Sequence, residues 1–136
     1  GPAALAECLR RLGEGVPYPD PDSRVRLSPR GCGFGELTAE AARYGRTAVH
    51  RRVGAPGITE VSAPAVVYLR RGHFVVYLGM RDGEVLLHDP ALGLLAMDPG
   101  ALTRSWTGDV MEFPDAAGGG PSGGSASGGS PPRGGP

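Results

Sequence analysis

Hydrophobic positions along this chain follow two periods, and the change from one to the other falls near residue 46. Over residues 2–12, Leu5, Leu9 and Leu12 recur at i, i+4 and i+7, with Ala4 and Cys8 beside them, the pattern of an amphipathic helix. Pro2 suits the first turn of such a helix and Gly13 its stop. Residues 14–32 are rich in Pro, Gly and Asp and read as loop. The helical period returns over residues 34–44, where Phe34, Leu37, Ala41 and Tyr44 form one stripe that Gly45 closes. The runs then shorten to strand length. Residues 47–53 form a short strand candidate, and residues 65–69 (Ala-Val-Val-Tyr-Leu) read as a central strand buried on both faces, opened by Pro64. Residues 73–80 and 84–88 flank Asp82-Gly83, the strongest hairpin signal in the chain. A strand at 93–97, a helical segment at 99–106 and a last strand at 109–113 complete the series. Two helices followed by an antiparallel sheet define an α+β fold class, and no internal repeat is present.

The hairpin also carries the candidate chemistry. His73 heads its first strand, and Asp89 ends the returning strand, before Pro90. Taken singly, His73 reads as a strand-end histidine satisfied by water or backbone, and Asp89 as a turn opener. Taken together they are two parts of a nucleophilic hydrolase, the base and the group that orients it. Register decides whether they meet. A two-residue turn at Asp82-Gly83 with regular strands pairs Val76 with Asp89 and puts His73 and Asp89 on opposite faces. A three-residue loop, Arg81-Asp82-Gly83 with Gly83 as a bulge, moves the register by one, brings Val75 opposite Asp89 and sets His73 diagonal to it on the same face. The bulged register is the one expected.

Other candidates are weaker. His50 sits beside Arg51 and Arg52 on an expected solvent face, and His88 points away from Asp89 in the bulged register. Metal binding by His73, His88 and Asp89 lacks any recurrent ligand spacing, so no metal and no cofactor is expected. Cys8, among leucines, reads as a buried hydrophobe. Cys32 lies in Gly-Cys-Gly ahead of the second helix; a helix N-terminus lowers a thiol pKa, which makes Cys32 the substitute nucleophile, although a flexible helix entry is the favoured reading.

Composition bounds the rest. The last 23 residues hold nine Gly and five Pro and no large apolar side chain, so residues 114–136 are expected to be a disordered tail and residues 1–113 the folded domain. Net charge is zero with signs interspersed, which argues against a nucleic-acid surface. All fourteen basic residues are Arg, and Lys, Asn and Gln are absent, so no side-chain amide is available here as an oxyanion donor. No apolar run is long enough to span a bilayer and no signal peptide is visible, although the chain opens on Gly1, as if the native start had been removed.

Gly1-Pro2-Ala3-Ala4-Leu5-Ala6, Gly33-Phe34-Gly35-Glu36-Leu37-Thr38, Gly72-His73-Phe74-Val75-Val76, Asp89-Pro90-Ala91-Leu92-Gly93 and Trp106-Thr107-Gly108 occur in that order. As a set they resemble the bacteriocin-processing cysteine peptidase domain, a papain-like family often fused to ABC exporters that cuts leader peptides after a double glycine. The resemblance covers nearly all of residues 1–113. It implies a papain-like fold, N-terminal helices packed on an antiparallel sheet, with His73 and Asp89 as catalytic residues. It implies a nucleophilic cysteine immediately before Gly1 and an oxyanion glutamine a few residues further upstream. It also implies a peptide substrate, a double-glycine leader, and a membrane exporter as partner of the parent protein, at the cytoplasm or the cytoplasmic face of the membrane. A chain without that cysteine is expected to be inactive unless Cys32 substitutes. The alternative function is a catalytically degenerate domain that binds peptide or tethers secretion cargo. A structural domain with no site is the third reading.

Overall fold

The structure is a computed structural model, and it describes residues 1–23, 33–54 and 57–114. The expected tail beyond residue 114 and the expected role of Cys32 lie outside the described residues.

Helix α1 (Pro2–Arg11) and helix α2 (Phe34–Arg43) come first. Their apolar stripes are the reason they fold against a sheet: Leu5, Cys8, Leu9, Leu37 and Ala41 are fully buried or nearly so. Gly13 and Gly45 follow the two helices with φ of +94° and +74°, left-handed conformations that glycine adopts without strain. The strands are β1 (Val49–Arg52), β2 (Ala65–Leu69), β3 (His73–Arg81), β4 (Glu84–Asp89), β5 (Gly93–Met97) and β6 (Trp106–Glu112), with helix α3 (Pro99–Ser105) between the last two. Asp98 caps α3, its carboxylate accepting from the Gly100 and Ala101 backbone N–H groups.

The strands make one antiparallel sheet in the order β1-β6-β2-β3-β4-β5. Both faces are covered, which explains the unbroken apolar run of β2. On one face Val66, Phe74, Val76 and Met111 pack against α1 and α2. On the other, Val67, Val75, Val85, Leu87 and Val110 pack against Ile58, Leu102 and Trp106. The expected arrangement, N-terminal helices on an antiparallel sheet, is the observed one, with α3 adding cover on the opposite face.

The hairpin departs from expectation in one respect. Arg81 pairs with Glu84, so the turn has two residues, Asp82 and Gly83, with φ of +52° and +80°. Both positive values belong to the tight turn that matches strand twist, and Asp-Gly supplies them. There is no three-residue loop and no bulge at Gly83. The extra residue lies deeper in β3, where the register shifts between Tyr77 and Gly79, and Gly79 has φ of +113°. Val76 consequently pairs with His88, and the next step outward sets Val75 opposite Asp89. The expected register is reached by a different device.

Candidate active site

Two strand ends and one turn build the site. The β2–β3 turn is closed by the Gly72 N–H donating to the Leu69 carbonyl, with Gly72 at φ +78°. It presents His73 as the first residue of β3, opposite Leu69. Asp89 is the last residue of β4, opposite Gly93. Because the β3 bulge keeps both on one face, His73 Nε2 lies 2.8 Å from Asp89 Oδ2.

Asp89 is 2% exposed, and its carboxylate is fully engaged. Oδ1 accepts from the Ala91 N–H at 2.8 Å and the Leu92 N–H at 3.3 Å, while Oδ2 faces the imidazole. Burial alone would raise this carboxyl's pKa; the Ala91 N–H, His73 and the Leu92 N–H outweigh burial and hold it below the usual carboxylate range. The group is therefore ionised, and it can only accept. The neutral imidazole must then carry its proton on Nε2, which leaves Nδ1 as the ring atom free to take a proton from a nucleophile. The His73 side chain is about one-third exposed and opens onto a shallow recess of about 390 Å³ lined by Arg71, Gly72, Ala91 and Leu92.

The remaining histidines stand apart. His50 is exposed, as expected, but it stacks on Phe34 with ring centroids 4.1 Å apart and bonds Asp109 at 3.1 Å. His88 occupies the other face of β4, and its Nδ1 is buried with no hydrogen-bond partner among the described residues. No group of three His, Cys, Asp or Glu side chains able to hold a metal occurs among the described residues. Cys8 is buried, and burial pushes its thiol pKa far up, which removes it as a nucleophile.

Helix α1 lies against β2 and β3, the strand that carries His73. Its first turn holds no acidic residue, and the positive end of its dipole lies there. A second cavity of about 170 Å³ begins at Pro2 and runs between α1, the segment at 16–23 and α2. Leu5, Leu9, Val16 and Tyr18 line it. Its wall is held by a network that joins Asp20 to Tyr44 and Arg43, with Arg43 also 2.8 Å from the buried Glu40. Sequence reasoning missed this network. The only prior signal was a run of acids and prolines at 17–22 facing an aromatic and an arginine at the end of α2.

The ordered His–Asp pair thus lies on an antiparallel sheet with α1 and α2 on one face and α3 on the other. The chain belongs to the Peptidase C39 family, whose model matches residues 1–117. Among solved structures it is similar to a double glycine motif protease from an AMS/PCAT transporter, crystallised with the leader peptide, at 24% identity and a TM-score of 0.75 over 81% of this chain and 79% of that one. It is also similar to the N-terminal peptidase C39-like domain of a toxin secretion ATP-binding protein from Vibrio parahaemolyticus, at 20% identity and a TM-score of 0.69 over 82% and 92% of the two chains. The peptidase domain of Streptococcus ComA, a bi-functional ABC transporter of a quorum-sensing pathway, matches at 15% identity and a TM-score of 0.70 over 81% and 86%. At these identities the likeness is one of fold, and the fold is that of the C39 peptidase domain. No curated protein sequence matches the chain. No helix among the described residues is long and apolar enough to cross a membrane.

Proposed function

We propose that this domain is the core of a cysteine peptidase that cuts leader peptides after a double glycine, with His73 as the base, Asp89 as its orienting acid and a cysteine directly before Gly1 as the nucleophile. The observation that carries the reading is the 2.8 Å contact between His73 Nε2 and a buried, ionised Asp89. A thiol at the head of α1 would sit at the positive end of a helix packed on β3. It would give its proton to His73 Nδ1. The thiolate attacks the carbonyl carbon of the scissile bond, His73 returns the proton to the departing amine, and a thioester remains. Water, deprotonated by the same imidazole, then releases the acid and restores the thiol. The cavity that starts at Pro2 supports a peptide substrate, because it offers apolar walls next to the nucleophile position. A transporter as partner, and action on the cytoplasmic side, follow from the same reading.

The test is a chain carrying cysteine directly before Gly1, with glutamine upstream, incubated with a double-glycine peptide and followed by mass spectrometry. Cleavage after the second glycine, lost in His73→Ala and blocked by iodoacetamide, is the expected result. Full cleavage by His73→Ala would overturn the assignment. Cleavage that survives removal of the added cysteine but disappears in Cys32→Ser would transfer the nucleophile to Cys32.

A further inference from the structure

Among the described residues five of the ten arginines pair with a carboxylate. Arg10 and Arg11 pair with Glu7, Arg43 with Asp20 and Glu40, Arg46 with Glu14, and Arg51 with Glu112. Arg52 and Arg70 are the exceptions that share a recess. It measures about 270 Å³, and Val53, Thr103, Trp106 and Gly108 complete its wall. Among the described residues the Arg52 side chain bonds only the Thr107 carbonyl, at 3.0 Å. Arg70 is exposed and has no acidic partner among the described residues. Its backbone N–H is fixed to the Ser105 carbonyl at 2.7 Å, so the side chain starts from a defined place at the mouth of the recess. Two arginines line this recess and no carboxylate does, which gives it a positive lining, and guanidinium is the side chain best matched to a carboxylate. The apolar walls from Val53 and Trp106 suit the methylene stem of an acidic side chain better than a bare ion.

Location ties this recess to the candidate active site. Arg70 and Arg71 form one turn with Gly72, and Leu69 and His73 face each other across its base. Arg70 lines the arginine recess, while Arg71 lines the opening beside His73. Leu69 pairs with His73 on one side and with Trp106 on the other, so these two lie two strand spacings, roughly 10 Å, apart, and an extended peptide advancing about 3.3 Å per residue covers that within about four residues.

We propose that the recess between Arg52 and Arg70 receives the carboxylate of an acidic side chain, within about four residues of the scissile bond, on the peptide that occupies the His73–Asp89 site. The inference rests on the peptide-substrate reading. Trp106 is the single tryptophan of the chain and lines the recess, so its fluorescence reports binding without any need for cleavage. The chain is titrated with paired double-glycine peptides that carry Glu or Gln at each position within four residues of the glycine pair. At one position the Glu peptide binds about fivefold more tightly than its Gln partner, the scale of a solvent-facing charge pair. Arg70→Ala and Arg52→Ala erase that difference and leave Gln-peptide affinity unchanged, whereas Arg81→Ala, at the far end of β3, preserves it. Equal affinity for the Glu and Gln peptides at every position would overturn this inference alone. Failure of both peptides to bind would overturn the peptide reading together with it.

Discussion

Replacing Gly79 by alanine perturbs the one backbone position on which the His73–Asp89 contact depends. Gly79 sits at φ +113°, where an L side chain is strained. Space is not the obstacle, since an added Cβ would meet only the Ala63 Cβ at 3.9 Å, an ordinary contact. The cost is therefore conformational, roughly 1–3 kcal/mol for one residue held in a sparsely populated region. For a domain of this size that lowers the melting temperature by roughly 5–15 °C. Urea denaturation of the 136-residue chain measures it, with Gly35→Ala as the control. Gly35 lies inside α2 with open space around its Cα, so alanine there stabilises by about 0.5–1 kcal/mol. The chain has one way to escape the strain at residue 79, which is to expel the bulge and slip β4 by one residue. That slip would carry Asp89 to the opposite face from His73. Gly79→Ala thus loses stability, or it loses the His73–Asp89 hydrogen bond, or both. A Gly79→Ala protein as stable as the parent, with that hydrogen bond intact, would refute the claim that the bulge sets the register.

Three further outcomes follow from the same geometry. Asp89→Asn lowers kcat on a double-glycine peptide by roughly 10- to 10²-fold, the scale of one lost charge-assisted hydrogen bond, as measured in the cysteine-bearing chain. The Ala91 and Leu92 N–H groups hold the amide oxygen, so the NH₂ group faces His73 and favours the wrong tautomer. Gly108→Ala destabilises by about 2 kcal/mol or more by urea titration, because its Cβ would fall 2.8 Å from the Val53 carbonyl oxygen at φ +93°. Asp89 and Glu112 both have carboxyl pKa values held below the usual 3.8 and 4.5. For Glu112 burial opposes the shift, and the Arg51 guanidinium and the Ser62 N–H outweigh it. Unfolding raises both pKa values, so the unfolded chain binds more protons, and stability rises with pH across this range. The contribution is complete above about pH 4.5 and drains away as pH falls through the lowered values; Asp89→Asn and Glu112→Gln each flatten the acid limb of a melting profile.

The elements were legible because their causes are local. Leu5, Leu9 and Leu12 mark α1, and the alternation around Asp82-Gly83 marks the hairpin. His73 and Asp89 were legible as a pair because strand period and spacing alone can place them together. The device that places them was misread. Asp-Gly satisfies a two-residue turn by itself, and the lone glycine inside an apolar strand, Gly79, was the signal for the bulge. What stayed hidden were relations between distant segments. Nothing in a linear pattern joins Asp20 to Tyr44, or stacks Phe34 on His50. The sparing of Arg52 and Arg70 from ion pairs was equally unreadable, since it depends on where every carboxylate ends up.

The proposed catalysis rests on a proton held between an imidazole and a buried carboxylate, and nitrogen-detected NMR of the histidine rings reads that proton directly. In the neutral ring His73 should appear as the Nε2–H tautomer, with a downfield proton protected from exchange that disappears in Asp89→Ala. A His73 ring in the Nδ1–H tautomer, or one whose spectrum is indifferent to Asp89→Ala, would contradict it.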